Sequence, residues 1–356
     1  MPTRSGKLTP SIAVSLVLFA ASASAQSPKV HTLLATPSTV AYGYYWADAK
    51  PVLRIASGDI IDVETMITNR PDRLEAAGVP AAEVQQSLRD IVSQVTDRGP
   101  GGHILTGPVF VEGADSGDVL EVRILSIDLN IPYGYNGCSG FVKENCEKDS
   151  SPLTRIIRLD RKRMTGAFAP GIDVPLHPFF GSMGVAPPRA LGRVSSNPPH
   201  QHAGNLDNKE LIAGTTLYIP IHAAGALFEV GDGHAAQGDG EVDQTAIETS
   251  LRGRLKLTVR KDMKLDWPRA ETPTAWVAMG MDQDLATATK IAIQNVVGLL
   301  MEKNGLTRGG VSAGEHCRRS PHHAIGRRQR GRPRDVPQGT AQDEVVAATA
   351  PGATAQ

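Results

Sequence analysis

Hydrophobic and polar positions alternate with a period of two at four places along the chain. Leu120, Val122 and Ile124 are separated by Glu121 and Arg123, and Leu217, Ile219 and Ile221 by Tyr218 and Pro220, with His222 following. Leu255, Leu257 and Val259 are separated by Lys256 and Thr258, with Arg260 following, and Ile61 and Val63 stand among Asp59, Asp62 and Glu64. Successive side chains of a strand point to opposite faces, so each segment predicts a strand with one buried and one solvated face. Together they predict an antiparallel sheet, with His222 on its solvated side.

The period lengthens to that of a helix twice. Val84, Leu88, Ile91 and Val95 fall on one helical face behind Pro80, a residue suited to a first turn. A second helix is predicted from about Asp282 to Lys303, with Leu285, Ala288, Ala292, Val296 and Leu299 as its stripe and Gly305 as its stop. Strands outnumber helices and do not alternate with them. The pattern therefore predicts a mainly β fold, a β-sandwich or jelly roll with two or more accessory helices, rather than a doubly wound sheet. The 36 Gly and 25 Pro among 356 residues agree with many turns and short strands.

Both ends of the chain depart from this pattern. Arg4 and Lys7, the apolar stretch Ile12 to Ala21 and the small residues Ala23-Ser24-Ala25 have the order of a secretory signal, so residues 1–25 are expected to be a leader and the rest exported, periplasmic or secreted. No later run is long enough to anchor the chain stably in a bilayer. Residues 26–308 form the folding body. From 309 to 356 the chain has no Leu, Phe, Tyr, Trp, Met or Lys and one Ile, a composition too poor in apolar surface to offset its ordering entropy. This tail is expected to be disordered, and its Arg, Gly, Pro and Ala bias suggests a reading-frame change near Arg308.

Charge narrows the partners: 37 Lys plus Arg balance 37 Asp plus Glu, so no global field selects nucleic acid or an anionic membrane. Of the three cysteines, Cys138 and Cys146 lie eight apart in a Gly- and Asn-containing loop, where an oxidising compartment allows a disulfide. Cys317 is left over in the tail.

Candidate chemistry is densest between Pro198 and Glu248. Here PPHQHAGNLDNKEL (198–211) precedes TTLYIPIHAAGALFEVGDGHAAQGDGEVDQTAIE (215–248), and two Gly-rich acidic turns, 231–233 and 238–241, are expected to flank His234. Glycines such as Gly233 and Gly240 let backbone approach a ligand, and interleaved carboxylates and imidazoles can bind a metal or move protons. Asn205, Asp207, His234, Asp239 and Glu241 are the candidates, although Asp-Gly pairs also serve as ordinary hairpin turns. Their spacing matches neither a zinc finger nor HExxH, so a metal site would be assembled across strands.

The block 204–248 closely resembles the signature region of the acetamidase/formamidase family. HILTGPVFVEGADSGDVLEVRI (103–124) and PFFGSMGVAP (178–187), with Gly181, Gly184 and Pro187 as punctuation, resemble two further blocks of that family. The resemblance runs in order from about Val30 to Arg308. It implies a mainly β fold, homo-oligomers, and hydrolysis of a short aliphatic amide to ammonia and a carboxylate. Asp243 departs from the small or sulfur-containing residue expected in many relatives.

Amide hydrolysis suits the residues themselves. There is no GxSxG elbow, so a water activated by a carboxylate or a metal is the better nucleophile. Asp207 and His234 are expected as catalytic groups or ligands, Asp239 as a further ligand, and Glu241 as general base. Asn205, Gly233 and Gly240 are expected to contact substrate, with His103, His202 and His222 as secondary candidates and a divalent ion, zinc or calcium, as cofactor. Tyr42, Tyr44, Tyr45, Trp46, Tyr133 and Tyr135 could wall a pocket, or supply core area. The alternative is a non-catalytic extracytoplasmic binding protein with a structural cation.

Overall fold

A computed structural model describes residues 27–148, 154–310 and 344–348. The leader, Cys317 and the tail beyond 310, apart from 344–348, lie outside the described residues. The four strands predicted from alternation lie side by side in one eight-stranded sheet, in the order Ile60–Glu64, Leu251–Arg260, Val119–Leu129, Thr216–Pro220. All three contacts are antiparallel, and Leu257, Val122 and Leu217 stand in one row across three strands. Each of these side chains is fully buried, as the period-two pattern requires. Val30–Leu33 extends the sheet on one side, and Arg269–Glu271, Ala275–Met279 and Glu344–Ala348 on the other.

The second sheet is built around Phe228–His234. Phe179–Gly184 pairs with one edge of this strand, while Ile104–Val111 takes the first half of the other edge and Glu248–Thr249 the second half. Tyr133–Gly137, Thr154–Asp160, Thr165–Ala169 and Ile172–Pro175 continue the sheet outward. The two sheets share one core. Leu217, Leu255 and Leu257 of the first join Phe180, Phe228 and Val230 of the second in a single buried cluster. A Cβ placed on Gly253 would lie 2.7 Å from the Phe180 ring, so this position must be bare for the sheets to close on each other. The architecture is the expected β-sandwich.

Both predicted helices form, each slightly shorter than its pattern. Gln86–Gln94 follows a single turn at Ala81–Glu83 and buries Leu88 and Ile91 in a second cluster with Met66, Leu74 and Tyr133. Leu285–Asn304 begins at Asp284, whose carboxylate accepts the Thr287 N–H, and ends at left-handed Gly305. Ala292 and Val296 pack on Ala278, and the Arg269 guanidinium grips Glu302 with two bonds of 2.7 and 3.0 Å, fixing the helix to the edge of the first sheet. Among the described residues no helix is long and apolar enough to cross a membrane.

Three expectations need correction. Residues 231–233 are not a turn, because they belong to the Phe228–His234 strand, with a local left-handed kink at Asp232. Their glycines answer crowding instead: Cβ atoms on Gly231 and Gly233 would lie 2.5 Å from the Ile104 carbonyl and 2.6 Å from the Thr249 carbonyl. The nominally polar face of Thr216–Pro220 is covered, since Tyr218 stacks near Trp276 and donates to Glu271. His222, expected to be solvated, lies just past that strand and is half-buried, and its Nε2 lacks a partner.

Candidate functional site

The Phe228–His234 strand and the segments on either side of it gather four carboxylates around one imidazole. His234 is fully buried at the strand end, its ring edge-on to Phe179 at 5.0 Å. From Nε2 the distances are 3.3 Å to Glu248 Oε1, 3.5 Å to Asp232 Oδ2 and 4.0 Å to Glu241 Oε1. Asp207 arrives from the second sheet's edge after Ala203–Asn205, and its carboxylate, His234 and Glu241 offer atoms all within 4.8 Å of one another. Between Asp207 and His234 the chain visits the first sheet as Thr216–Pro220 and returns, which is how residues far apart in sequence meet.

Neighbouring residues set the orientation of these groups. Gln237 donates from Nε2 to the Asp207 carbonyl at 2.7 Å, which turns its Oε1 towards His234 Nδ1 at 2.9 Å. An amide oxygen only accepts, so Nδ1 carries the proton and Nε2 faces the acids. Ser182 donates to Asn205 Oδ1 and Asn205 Nδ2 donates to Asp207 Oδ2, both at 2.7 Å, leaving Asp207 Oδ1 buried with no hydrogen-bond partner. Gly181 makes room for the cluster: a Cβ there would lie 2.5 Å from Asp232 Oδ2, 2.8 Å from Asp207 Oδ1 and 2.8 Å from His234 Cε1. Asp207, Asp232 and Glu241 adopt left-handed φ of 43°, 56° and 42°, a costly conformation for side-chain-bearing residues that tends to mark functional sites.

Burial and crowding spread the protonation behaviour of these acids. Burial, then the Glu241 and Asp232 carboxylates, push Asp207 well above the carboxylate range. Burial pushes Glu241 up to about 7 against the pull of the His234 imidazole. For Asp232 burial acts upward too, yet the imidazoles of His103 and His234 outweigh it and hold the group well below the usual range. His234 is drawn towards neutrality by burial, but Glu248 and Asp232 overcome this and raise it well above an ordinary imidazole. The Nε2 position therefore calls for a proton or a cation.

A cavity of about 770 Å³ opens beside this cluster, lined among others by Glu241, Gln237, Asn136, Phe168, Val142 and Lys209. Glu241 is the one member of the cluster that reaches it; Asp207, Asp232, His234 and Glu248 lie behind.

The structure brings Asp207, His234 and Glu241 together as expected and separates other candidates from them. Asp239 is exposed and sits 3.5 Å from Lys209, outside the cluster, because the turn at 238–241 projects it into solvent. Asn205 bonds Ser182 and Asp207, so that it orients the Asp207 carboxylate, and it does not line the cavity. Gly233 packs against the Thr249 carbonyl and Leu251, and Gly240 shapes its turn at φ 81°. His103 lies at the margin, 3.8 Å from Asp232, while His202 is buried against Tyr45. The aromatic residues supply core and stacking area, not a pocket wall: Tyr45 and Tyr133 are buried, and Arg193 lies over Tyr44 and Trp46. Asp232, Glu248 and Gln237 also stand in the Gly-rich block, but sequence alone does not single them out, and the two glycines that enclose Asp232 give it the look of a turn residue. Cys138 and Cys146 are joined as a disulfide.

A two-sheet sandwich with a buried carboxylate–imidazole cluster at the mouth of a cavity defines a class of protein equipped to hold a divalent ion or move protons. The chain belongs to the acetamidase/formamidase family, whose model matches residues 45–197 and 192–275. It is similar to a putative formamidase of Schizosaccharomyces pombe, 26% identical in an alignment 219 positions long that covers 45% of this chain and 52% of that one. The chain spans about half the length of the curated relatives it matches. Among solved structures it is similar to a recombinant predicted acetamidase/formamidase from Thermoanaerobacter tengcongensis, with 26% identity, a TM-score of 0.64, and coverage of 81% of this chain and 88% of the other. It is also similar to an acetamidase from Bacillus halodurans, with 28% identity, a TM-score of 0.64, and coverage of 79% and 88%.

Proposed function

We propose that this chain is an exported amidase that hydrolyses short aliphatic amides of the formamide and acetamide type to ammonia and a carboxylate. The observation that carries the reading is the position of Glu241, the only acid of the cluster on the cavity, with burial raising it to about 7, close to where a general base works best at neutral pH. Glu241 takes a proton from the attacking water as oxygen bonds to the amide carbon. It returns that proton to the nitrogen as the C–N bond breaks, and ammonia leaves. The leader-like residues 1–25 and the Cys138–Cys146 disulfide support export.

The cluster fits a divalent ion, since His234 Nε2 and Asp207 Oδ1 are buried polar atoms with no hydrogen-bond partner among the described residues. Asp232, His234 and Glu248 would hold it, with Asp207 beside them. One imidazole among carboxylates suits zinc better than calcium, which takes oxygen ligands. Such an ion supplies Lewis acidity to the site. The test combines metal analysis of purified protein with ammonia release from formamide and acetamide. A metal-loaded, folded preparation that releases no ammonia from either would sink the reading.

A further inference from the structure

The turn that carries Glu241 has little packing of its own. Gln244 donates its N–H to the Glu241 carbonyl at 2.8 Å to close it, Val242 is 50% exposed, and Glu241 and Gln244 both have positive φ. What holds the turn comes from Asn136 and Gly137, the end of the Tyr133–Gly137 strand, and from Ser139 and Gly140, the start of the loop closed by Cys138–Cys146. Asn136 Nδ2 donates to Asp243 Oδ2 at 2.8 Å and lies 3.1 Å from both Thr245 Oγ1 and the Ala246 carbonyl. The Gly137 N–H donates to Thr245 Oγ1 at 2.7 Å, and Ser139 Oγ donates to the Asp243 carbonyl at 2.5 Å. At Gly140 the two backbones are so close that a Cβ would lie 2.8 Å from the Val242 carbonyl.

From these contacts we infer that residues 136–140, the strand end and the start of the loop that the disulfide closes, are the positioning device for Glu241. It rests on the reading of Glu241 as the base. The disulfide ties Cys138 to Cys146 and so limits the excursions of Ser139 and Gly140, the two points where the loop grips residues 242–243. Asp243, the departure from the family pattern, gains a role as the acceptor for Asn136. Val142, from the same loop, lines the cavity, so the loop that holds the base also borders the space a substrate enters.

The experiment compares the full chain with its C138S/C146S variant by hydrogen–deuterium exchange of residues 241–246 and by kcat and KM for acetamide. Loss of the staple is expected to speed exchange in that segment by about tenfold or more, and to lower kcat by roughly 10- to 100-fold with KM changed little, since small misplacements of a reacting group are that costly. Unchanged exchange overturns the inference whether or not any amide is cleaved. If the parent cleaves no amide but exchange responds, the loop's hold on the turn stands and the amidase reading falls. Should the double variant fail to fold, T245V takes its place. It deletes the hydroxyl that Gly137 and Asn136 share and should show both effects, T245S should restore both, and parental exchange in T245V overturns the inference.

Discussion

The central strands of the two sheets are built on opposite rules. Leu251–Arg260 alternates buried with partly exposed positions over its first eight residues, whereas all seven residues of Phe228–His234 are buried, including Glu229, Asp232 and His234. In the first strand water covers one face, and burial of the other fixes the register. In the second, both faces are dry, and the ionisable groups must be answered by one another or by a bound cation. The first strand can be altered at a cost in stability, while the second holds the chemistry.

Four experiments would break or sharpen that contrast. The largest effect is expected from Glu241→Gln, which keeps the side chain's size and removes its basicity; kcat for acetamide should fall by roughly 10²–10⁴-fold with KM little changed. Parental kcat in that variant would remove Glu241 from the mechanism. Next comes a pair of glycines. Gly181→Ala pushes a methyl into Asp232, Asp207 and His234 and should cost about 10²-fold in turnover and much of any bound metal. Gly253→Ala pushes a methyl into Phe180 and should instead cost about 1–3 kcal/mol of stability, read by urea unfolding, with turnover in the folded fraction kept.

Leu255→Ala, in the middle of the alternating strand, should destabilise the fold by about 2–5 kcal/mol and leave kcat per folded molecule unchanged. A fall in kcat would show that the two sheets are not independent. The smallest effect is expected at Glu229, fully buried near the opposite end of the strand from His234 and raised well above an ordinary glutamic acid by burial alone. Below the usual carboxyl range folded and unfolded chains both hold this proton. Above it the unfolded chain releases the proton first, so stability falls as pH rises until the folded carboxyl also titrates. Glu229→Gln should therefore match the parent near pH 4 and melt higher near pH 8 by roughly 2–4 °C per kcal/mol recovered. A constant difference across pH would count against a buried, protonated Glu229.

The contrast also explains what could be read from the sequence. Leu120, Val122, Ile124, Leu217, Leu255 and Leu257 announced the first sheet because solvent on one face imprints a period on a strand. The helix Leu285–Asn304 was legible down to its stop at Gly305 for the same reason. Phe228–His234 carries no such imprint. Its glycines look like turn residues until the Ile104 and Thr249 carbonyls that crowd them are placed by the fold. Asp207, His234 and Glu241 could be named from chemistry and resemblance. Asp232 and Glu248 could not be told from ordinary acids: Asp232 shares the His234 strand, which its flanking glycines disguise, and Glu248 comes opposite His234 only once two strands pair. Asn205 and Asp239 fit the chemistry by type, but a side chain's type does not say which neighbours it bonds or where its turn points it.

The left-handed backbone at Asp207, Asp232 and Glu241 sets this protein's endurance against its work. Each of these dihedrals costs on the order of 1–3 kcal/mol in a residue with a Cβ, a cost that glycine does not bear. Laboratory evolution that rewards survival of heating alone is therefore drawn to the positions where the acids sit. A lineage improved at these three positions would become tougher and inert together, whereas glycine at Met164 or Ala226, which share the left-handed backbone, would toughen it without touching the acids.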